Sequence, residues 1–196
     1  MFGFLDDRHD LSYKWKFFGQ FLAIAVFLSG NIEVTKTPFL GLGDVVPWLS
    51  YPLLVLFILG VTNAINLSDG LDGLAAGSSL LSLGFVAVLA YAAQENSYAI
   101  VAVSAMGALT GFLRFNTHPA SVFMGDTGSQ FLGFIAACLV VQVTQSESLA
   151  ISPVLPLLIV GLPVFDTLMV MLLRIRSGDS PFKPDQRHLH HQLLKS

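Results

Sequence analysis

The sequence predicts an all-α, polytopic integral membrane bundle of about six transmembrane helices, with a short outer loop able to form a hairpin. Only 12% of the 196 residues are charged, whereas soluble domains usually carry about 25%. In addition, 54% of the residues are hydrophobic and the mean hydropathy is +0.69. The sequence also contains six separate apolar runs, and Lys and Arg are unevenly distributed among the segments that connect them. Together these features exclude an ordinary soluble domain.

The apolar runs supply the predicted helices in order. A helix needs about 20 apolar residues to cross a bilayer, with about 17 as the usual minimum. The second, third and sixth runs reach that length, whereas the first, fourth and fifth need flanking residues or partner helices. The first run is interpreted as a span and not as a secretory signal, because Asp6, Asp7 and Asp10 offset the basic residues of its leader. The six runs are residues 17–30, 47–66, 74–93, 98–113, 130–145 and 151–173.

Two runs contain residues that need comment. The lone Cys138 in the fifth run excludes an internal disulfide and is interpreted as a small core residue. In the sixth run, Gly161 and Pro163 predict a break or bend, because proline removes a helical hydrogen bond and clashes one turn back. The bend would turn Asp166 towards the other polar segments, and an ionisable residue within a span is a functional candidate.

The basic residues predict the orientation. Because the number of spans is even, both chain ends lie on one side, and only Lys36 falls on the other. The positive-inside rule makes the first side cytoplasmic. All five histidines and eight of the thirteen acidic residues belong to segments on that side, so the chemistry is expected to face the cytoplasm. The nine basic residues on that side are Arg8, Lys14, Lys16, Arg114, Arg174, Arg176, Lys183, Arg187 and Lys195.

The segment "NAINLSDGLDG" ends the second run and carries polar residues at every third position, namely Asn63, Asn66, Asp69 and Asp72. A charged side chain costs about 2.5–3.5 kcal/mol at mid-bilayer, so these carboxylates are expected at the interface, compensated by a cation. The glycines of the segment suggest a loosened helix junction where carboxylates can converge on a ligand. The alternative is a solvated helix cap with turn glycines.

Three further segments are polar but not decisive one by one. "DDRHD" could form part of a site or could simply be a charged leader to a helix. Asp126 in "FMGDTGSQFLG" could likewise be a functional carboxylate or a helix N-cap. In "RHLHH", His188 and His191 lie one helical turn apart. Zinc is a weak interpretation because no cysteine is near. Neighbouring basic residues favour phosphate binding, and a purely solvated tail is the remaining alternative.

Taken together and in order, these motifs resemble one family. "FLDDRHDLS", "NAINLSDGLDGLAAG", "FNTHPASVFMGDTGSQFLG", "PVFDT" and "SPFKPDQRHLHHQLL" are similar to the motifs of the polyprenyl-phosphate N-acetylhexosamine-1-phosphate transferases. The tail resembles the branch that starts teichoic acid, O-antigen and other surface glycans more than the peptidoglycan-precursor branch. The branch that it resembles is the undecaprenyl-phosphate N-acetylglucosamine-1-phosphate transferase type of glycosyltransferase family 4.

The resemblance implies an activity, a cofactor and partners. Such enzymes transfer a sugar 1-phosphate, here most simply N-acetylglucosamine 1-phosphate, from a UDP-sugar to undecaprenyl phosphate and release UMP. They use Mg²⁺, with Mn²⁺ as an alternative. A cation bridging two phosphorylated substrates agrees with the oxygen-ligand preference of Mg²⁺. The implied setting is the bacterial inner membrane, with the site facing the cytoplasm, no nucleic acid partner and a homodimer as the implied assembly.

The resemblance also implies roles for individual residues. Asp126 and Asp69 are implied metal ligands. Whether one carboxylate acts as base or nucleophile, or only positions substrate, stays open; direct attack by the polyprenyl phosphate is favoured because its oxygen is already anionic. The implied catalytic residues are Asp6, Asp7, Asp69 and Asp72. The implied substrate-binding residues are Asn63, Asn66, Asn116, Lys14, Lys16, Arg187, His188, His190 and His191.

Family members are normally longer, with further helices before the paired aspartates. We therefore expect residues 1–196 to form a single transferase domain that corresponds to roughly the C-terminal two-thirds of a longer member. Two other functions stay open. One is a transporter or channel subunit, although no internal repeat is visible and transporter sites usually lie near the midplane. The other is a catalytically inactive membrane fragment that packs against a partner.

Overall fold

The fold was analysed in a computed structural model that describes Arg8 and residues 12–30, 47–146, 152 and 154–176. Within these ranges all regular structure is helical and no strand occurs, so the predicted all-α class is confirmed. The elements in chain order are α1 (Tyr13–Leu28), a short 3₁₀ helix (Pro47–Leu49), α2 (Ser50–Ser68), α3 (Leu74–Ala92), α4 (Asn96–Asn116), α5 (Gly125–Gln145), α6 (Leu155–Ile159) and α7 (Gly161–Arg176).

Among the described residues, four helices, α2 to α5, are long and apolar enough to cross a membrane. Two of the three short runs, the fourth and fifth, form helices of 21 residues each, the longest in the described ranges. These helices are longer than the apolar runs that predicted them, because polar residues continue the helix beyond each run. Helix α5 begins at Gly125, within the "MGDTGS" motif, and so carries that motif on its first turns. Helix α1 has 16 residues and packs against α2.

Helices α2 and α5 pack closely because one residue has no side chain. A Cβ atom added to Gly133 of α5 would lie 2.8 Å from the Cα and 3.0 Å from the carbonyl oxygen of Thr62 on α2. Only glycine allows the two backbones to approach this far, as is common between helices in membranes. The buried side chains of both helices belong to one core, which includes Leu54, Ile58 and Ile65 of α2 with Leu132, Ala136 and Val140 of α5.

The sixth run is divided, as Gly161 and Pro163 predicted. Helix α6 ends at Ile159 and α7 begins at Gly161, so Pro163 lies in the first turn of α7, where its missing N–H has no intrahelical partner to lose. The hydroxyl of Ser82 on α3 donates to the carbonyl oxygen of Ile159 at 2.7 Å. This bond satisfies an acceptor at the break and ties the divided segment to the bundle.

The connections place the polar motifs at one end of the bundle. The start of α1, the end of α2 and the start of α5 lie together there, as the contacts below show. At the opposite end, residues 93–95 join α3 to α4 in a tight turn, so that the two helices form a hairpin. The helix order thus separates a polar end from an apolar body.

Candidate functional site

Three helices meet at a polar cluster that is centred on Asp126. The ammonium of Lys16 on α1 donates to Oδ2 of Asp126 at 2.7 Å. The side-chain amide of Asn66 on α2 donates to Oδ1 of the same carboxylate at 3.1 Å, and also to the hydroxyl of Ser129 at 2.8 Å. Residues 110 and 60 positions apart in the sequence therefore converge on one carboxylate.

Asp126 occupies the first turn of α5 and is not its N-cap. The N-cap position belongs to Met124, which makes no side-chain cap bond, so the N-cap interpretation of Asp126 is wrong. A carboxylate in the first turn still gains from the positive end of the helix dipole. Asp126 and Lys16 keep 31% and 30% of their side-chain surfaces exposed, so a ligand from the aqueous side can reach both.

One turn further along α1, a second set of amides joins the same helices. Gln20 and Asn63 exchange two hydrogen bonds, from Asn63 Nδ2 to Gln20 Oε1 at 2.9 Å and from Gln20 Nε2 to Asn63 Oδ1 at 3.3 Å. Gln20 Nε2 also reaches Oε1 of Gln130 on α5 at 3.5 Å. Gln20 is buried, and the amide pair holds α1 in a fixed position against α2.

Asp69 lies just beyond the last residue of α2, at the C-cap position. Burial, and to a lesser extent the negative charge of Asp126, raise the pKa of this carboxyl group from 3.8 to about 6. Two carboxylates that repel each other across a partly buried site form an arrangement that a cation stabilises. The helix-cap interpretation correctly gives the position of Asp69, but it does not account for the nearby Asp126.

This raised pKa predicts a pH dependence. The folded state binds the Asp69 proton more tightly than the unfolded chain does. The contribution of this proton to the free energy of unfolding is therefore complete below pH 3.8 and is lost as the pH rises through about 6. With a chelator present, the thermal midpoint should therefore fall over that window, and Asp69→Asn should flatten the slope. Asp72→Asn should keep the slope, because the lowered pKa of Asp72 places its own pH dependence below pH 3.8, outside this window. An unchanged slope in Asp69→Asn would contradict the assignment.

Asp72 points towards a different loop. Its Oδ2 accepts a hydrogen bond from the backbone N–H of Ala120 at 3.0 Å and lies 3.0 Å from Nδ1 of His118. The Ala120 N–H first, and then His118, hold the pKa of Asp72 below its ordinary value. The three-residue spacing that suggested a common cluster ends with α2, so in the described contacts Asp72 faces the α4–α5 loop while Asp69 faces Asp126.

Asn116, a predicted substrate-binding residue, is buried at the end of α4. Its Oδ1 accepts from the backbone N–H of Gly73 at 3.0 Å, and its Nδ2 donates to the carbonyl oxygen of Val122 at 2.9 Å. Gly73 has a φ of +77°, a left-handed conformation that glycine adopts without strain. Asn116 and Asp72 thus join the α2–α3 and α4–α5 loops; substrate binding by Asn116 stays a prediction.

The remaining predicted residues divide into two groups. Lys14 is exposed on α1, and its binding role stays a prediction. Within the described ranges, no group of three or more His, Cys, Asp or Glu side chains is placed to hold a metal ion, so any protein-held metal there relies on fewer carboxylates. Outside the described residues lie Asp6, Asp7, Arg187, His188, His190 and His191.

The sequence reasoning gave no role to Gln20, Ser129, Gln130 or His118. Gln20 had a usable signal, because an amide inside an apolar run, four residues after Lys16, must share its helix face. Ser129 and Gln130 lie in the motif around Asp126, but the motif alone does not show which side chains of other helices they contact. The contact between His118 and Asp72 depends on how two loops fold together, and no local pattern predicts that.

Comparison with known proteins agrees with the motifs. The family model of glycosyl transferase family 4 matches residues 1–144. The chain is 41% identical over 194 residues to a probable undecaprenyl-phosphate N-acetylglucosaminyl 1-phosphate transferase of Bacillus subtilis, covering 98% of this chain and 54% of that protein. It is 36% identical over 208 residues to a phospho-N-acetylmuramoyl-pentapeptide-transferase of Halalkalibacterium halodurans, covering 97% and 62% of the two chains.

A third relative, an undecaprenyl-phosphate alpha-N-acetylglucosaminyl 1-phosphate transferase of Yersinia pestis, is 32% identical over 206 residues, covering 99% of this chain and 55% of that protein. The chain thus spans about half to three-fifths of the length of these relatives. The family model covers well over half of the chain, which confirms the resemblance drawn from the motifs. The chain belongs to glycosyl transferase family 4.

Proposed function

We propose that this chain carries the phosphoryl-transfer site of an enzyme that moves a sugar 1-phosphate from a UDP-sugar to a polyprenyl phosphate and releases UMP. The observation that carries the proposal is the convergence of Lys16, Asn66 and Asp126, from three helices, at one end of an apolar bundle. A water-soluble donor and a lipid-embedded acceptor can meet only at such a boundary. Phosphoryl transfer depends mainly on positioning and on neutralising charge, and these polar residues suit both tasks.

The described residues fit a divalent cation. Asp69 and Asp126 bring two negative charges close enough for the second to raise the pKa of the first. Asp126 would be the principal ligand and Asp69 a second. Mg²⁺ is commonly bound through one or two carboxylates together with substrate phosphates, so a pair is sufficient. When bound, such an ion supplies charge neutralisation for the phosphate oxygens.

The remaining residues of the cluster position these groups. Asn66 and Ser129 fix the carboxylate of Asp126, because the Asn66 amide bonds to both and the Ser129 hydroxyl donates back to the carbonyl oxygen of Gly125 at 2.8 Å. Lys16 contributes an ammonium that can reach a phosphate. We propose direct attack by the polyprenyl phosphate oxygen, which is already anionic and needs no proton removed.

We propose an N-acetylglucosamine donor for this chain. The B. subtilis relative with that substrate in its name is 41% identical, against 36% for the H. halodurans relative named for N-acetylmuramoyl-pentapeptide. The difference is modest, so the second donor is the alternative that the experiment must distinguish. We further propose that the protein lies in the bacterial inner membrane with the polar end of the bundle facing the cytoplasm. We also propose that it acts in the synthesis of a surface glycan and assembles as a homodimer.

The test reconstitutes the full chain in vesicles that contain undecaprenyl phosphate and Mg²⁺. Radiolabelled UDP-N-acetylglucosamine is added, and label in the lipid extract is measured together with released UMP. We expect equal amounts of lipid-linked sugar and UMP, and no turnover with EDTA. A parallel reaction with UDP-N-acetylmuramoyl-pentapeptide should give much less product.

Each alternative predicts a different result. A higher rate with the pentapeptide donor would reverse the donor assignment while keeping the reaction class. Failure of both donors, with the protein folded and the lipid acceptor present, would contradict an active transferase and favour the inactive-fragment alternative. Release of UMP without lipid-linked sugar would contradict the transfer step.

A further inference from the structure

The carboxylate of Asp126 is engaged on both oxygens. Lys16 donates to Oδ2 at 2.7 Å, and Asn66 donates to Oδ1 at 3.1 Å. The Asn66 amide is neutral and can remain beside a bound cation. The Lys16 ammonium is a positive charge in direct contact with the oxygen that a cation would also use. Occupation of that oxygen by both groups is electrostatically unfavourable.

The backbone of Lys16 is fixed, but its side chain has room to move. Gln20, one turn along the same helix face, is held by Asn63 on α2 and Gln130 on α5. The start of α1 is therefore anchored close to the cluster. A lysine has a flexible four-carbon stem, and 30% of the Lys16 side chain is exposed. The ammonium can leave Asp126 and remain within the site without any helix movement.

We infer that Lys16 is an internal counter-ion of Asp126, which competes with a divalent cation for this carboxylate and, once displaced, is available to a phosphate ligand. This inference rests on the proposed function, since it concerns the same carboxylate. Without a cation, the ammonium offsets part of the charge that Asp69 and Asp126 bring together. With the cation in place, the released ammonium faces the phosphates instead. Cation binding and phosphate binding are thereby coupled through one side chain.

The test measures Mn²⁺ binding to the full chain in detergent micelles by electron paramagnetic resonance, with no substrate present. Lys16→Met removes the competing charge, so Mn²⁺ should bind about tenfold more tightly than to the wild type. UDP should then bind about tenfold more weakly to the Mn²⁺-loaded variant, because the released ammonium is missing. The two changes have opposite signs, which a general loss of structure does not produce.

Matched variants separate local contact from total charge. Lys16→Arg keeps the charge and should bind Mn²⁺ within about twofold of the wild type. Arg114→Met removes one positive charge at the same end of the bundle, from the last turn of α4, and should also leave Mn²⁺ affinity unchanged. If Lys16→Met fails to fold, as judged by its helical circular dichroism, Lys16→Gln replaces it as a smaller change of shape.

Two results would overturn the inference. One is equal or weaker Mn²⁺ binding by folded Lys16→Met or Lys16→Gln. The other is tighter binding in Arg114→Met as well, which would indicate a general charge effect. If no variant and no wild type binds Mn²⁺, the inference and the metal assignment fail together. If the affinities change as expected while no sugar phosphate is transferred, the inference stands and only the proposed reaction fails.

Discussion

Replacing Asp126 with Asn should abolish sugar-phosphate transfer, with a loss of at least about 10²-fold in the vesicle assay. The substitution keeps the shape of the side chain but removes the negative charge that binds either Lys16 or, in its place, a divalent cation. An amide oxygen can still accept the bond from Asn66, so the helices should remain assembled. We therefore expect normal amounts of folded protein in the membrane and almost no lipid-linked product.

Glu95→Gln is the matched control for this substitution. It removes one carboxylate by the same chemical change, but Glu95 precedes α4 at the opposite end of the bundle. Transfer should be unaltered in Glu95→Gln. Retention of more than a tenth of wild-type activity in a folded Asp126→Asn protein would contradict the role of this residue.

Gly133→Ala should have the largest effect on folding stability. The new methyl group would lie 2.8 Å from the Cα of Thr62, and backbone atoms cannot turn away as the end of a flexible side chain can. Overpacking of this kind typically costs about 1–3 kcal/mol. Because α2 carries Asn66 and α5 carries Asp126, separation of the two helices should also reduce transfer. Thermal unfolding in detergent and the vesicle assay measure the two effects.

Gly107→Ala provides the comparison. Gly107 lies within α4, and a Cβ atom added there meets nothing within 4 Å. Alanine is a better helix former than glycine by about 1 kcal/mol, so this variant should be as stable as the wild type or slightly more so. A smaller destabilisation in Gly133→Ala than in Gly107→Ala would show that the close approach of α2 and α5 does not limit packing.

The membrane fold could be predicted because its signals are local and strong. Long apolar runs are unstable in water, and a proline inside the sixth run cannot continue the helical hydrogen bonding, so both can be interpreted from the sequence alone. The helix ends were less predictable. Helix α5 starts at Gly125, in polar sequence, because the side chains of its first turns contact Lys16 and Asn66 from other helices instead of lipid.

The types of residue in the candidate site could be predicted more easily than the contacts between them. Asp126 was identified from its motif, and its proximity to Asp69 followed from the expected convergence at one end of the bundle. The pairing of Lys16 with Asp126 could not be predicted, since it depends on how α1 packs. For Asp72 the sequence was misleading. Its regular spacing from Asp69 suggested that both belong to one cluster, but its hydrogen-bond partners are set by the fold of the α4–α5 loop.

The most direct test of the account is a double-mutant cycle on Mn²⁺ binding to the full chain, using Asp69→Asn, Asp126→Asn and the double variant. If the two carboxylates hold one ion, each single substitution should weaken binding, and the double variant should bind not much more weakly than Asp126→Asn alone. Wild-type Mn²⁺ affinity in folded Asp126→Asn, or strictly additive losses in the double variant, would show that Asp69 and Asp126 do not share an ion.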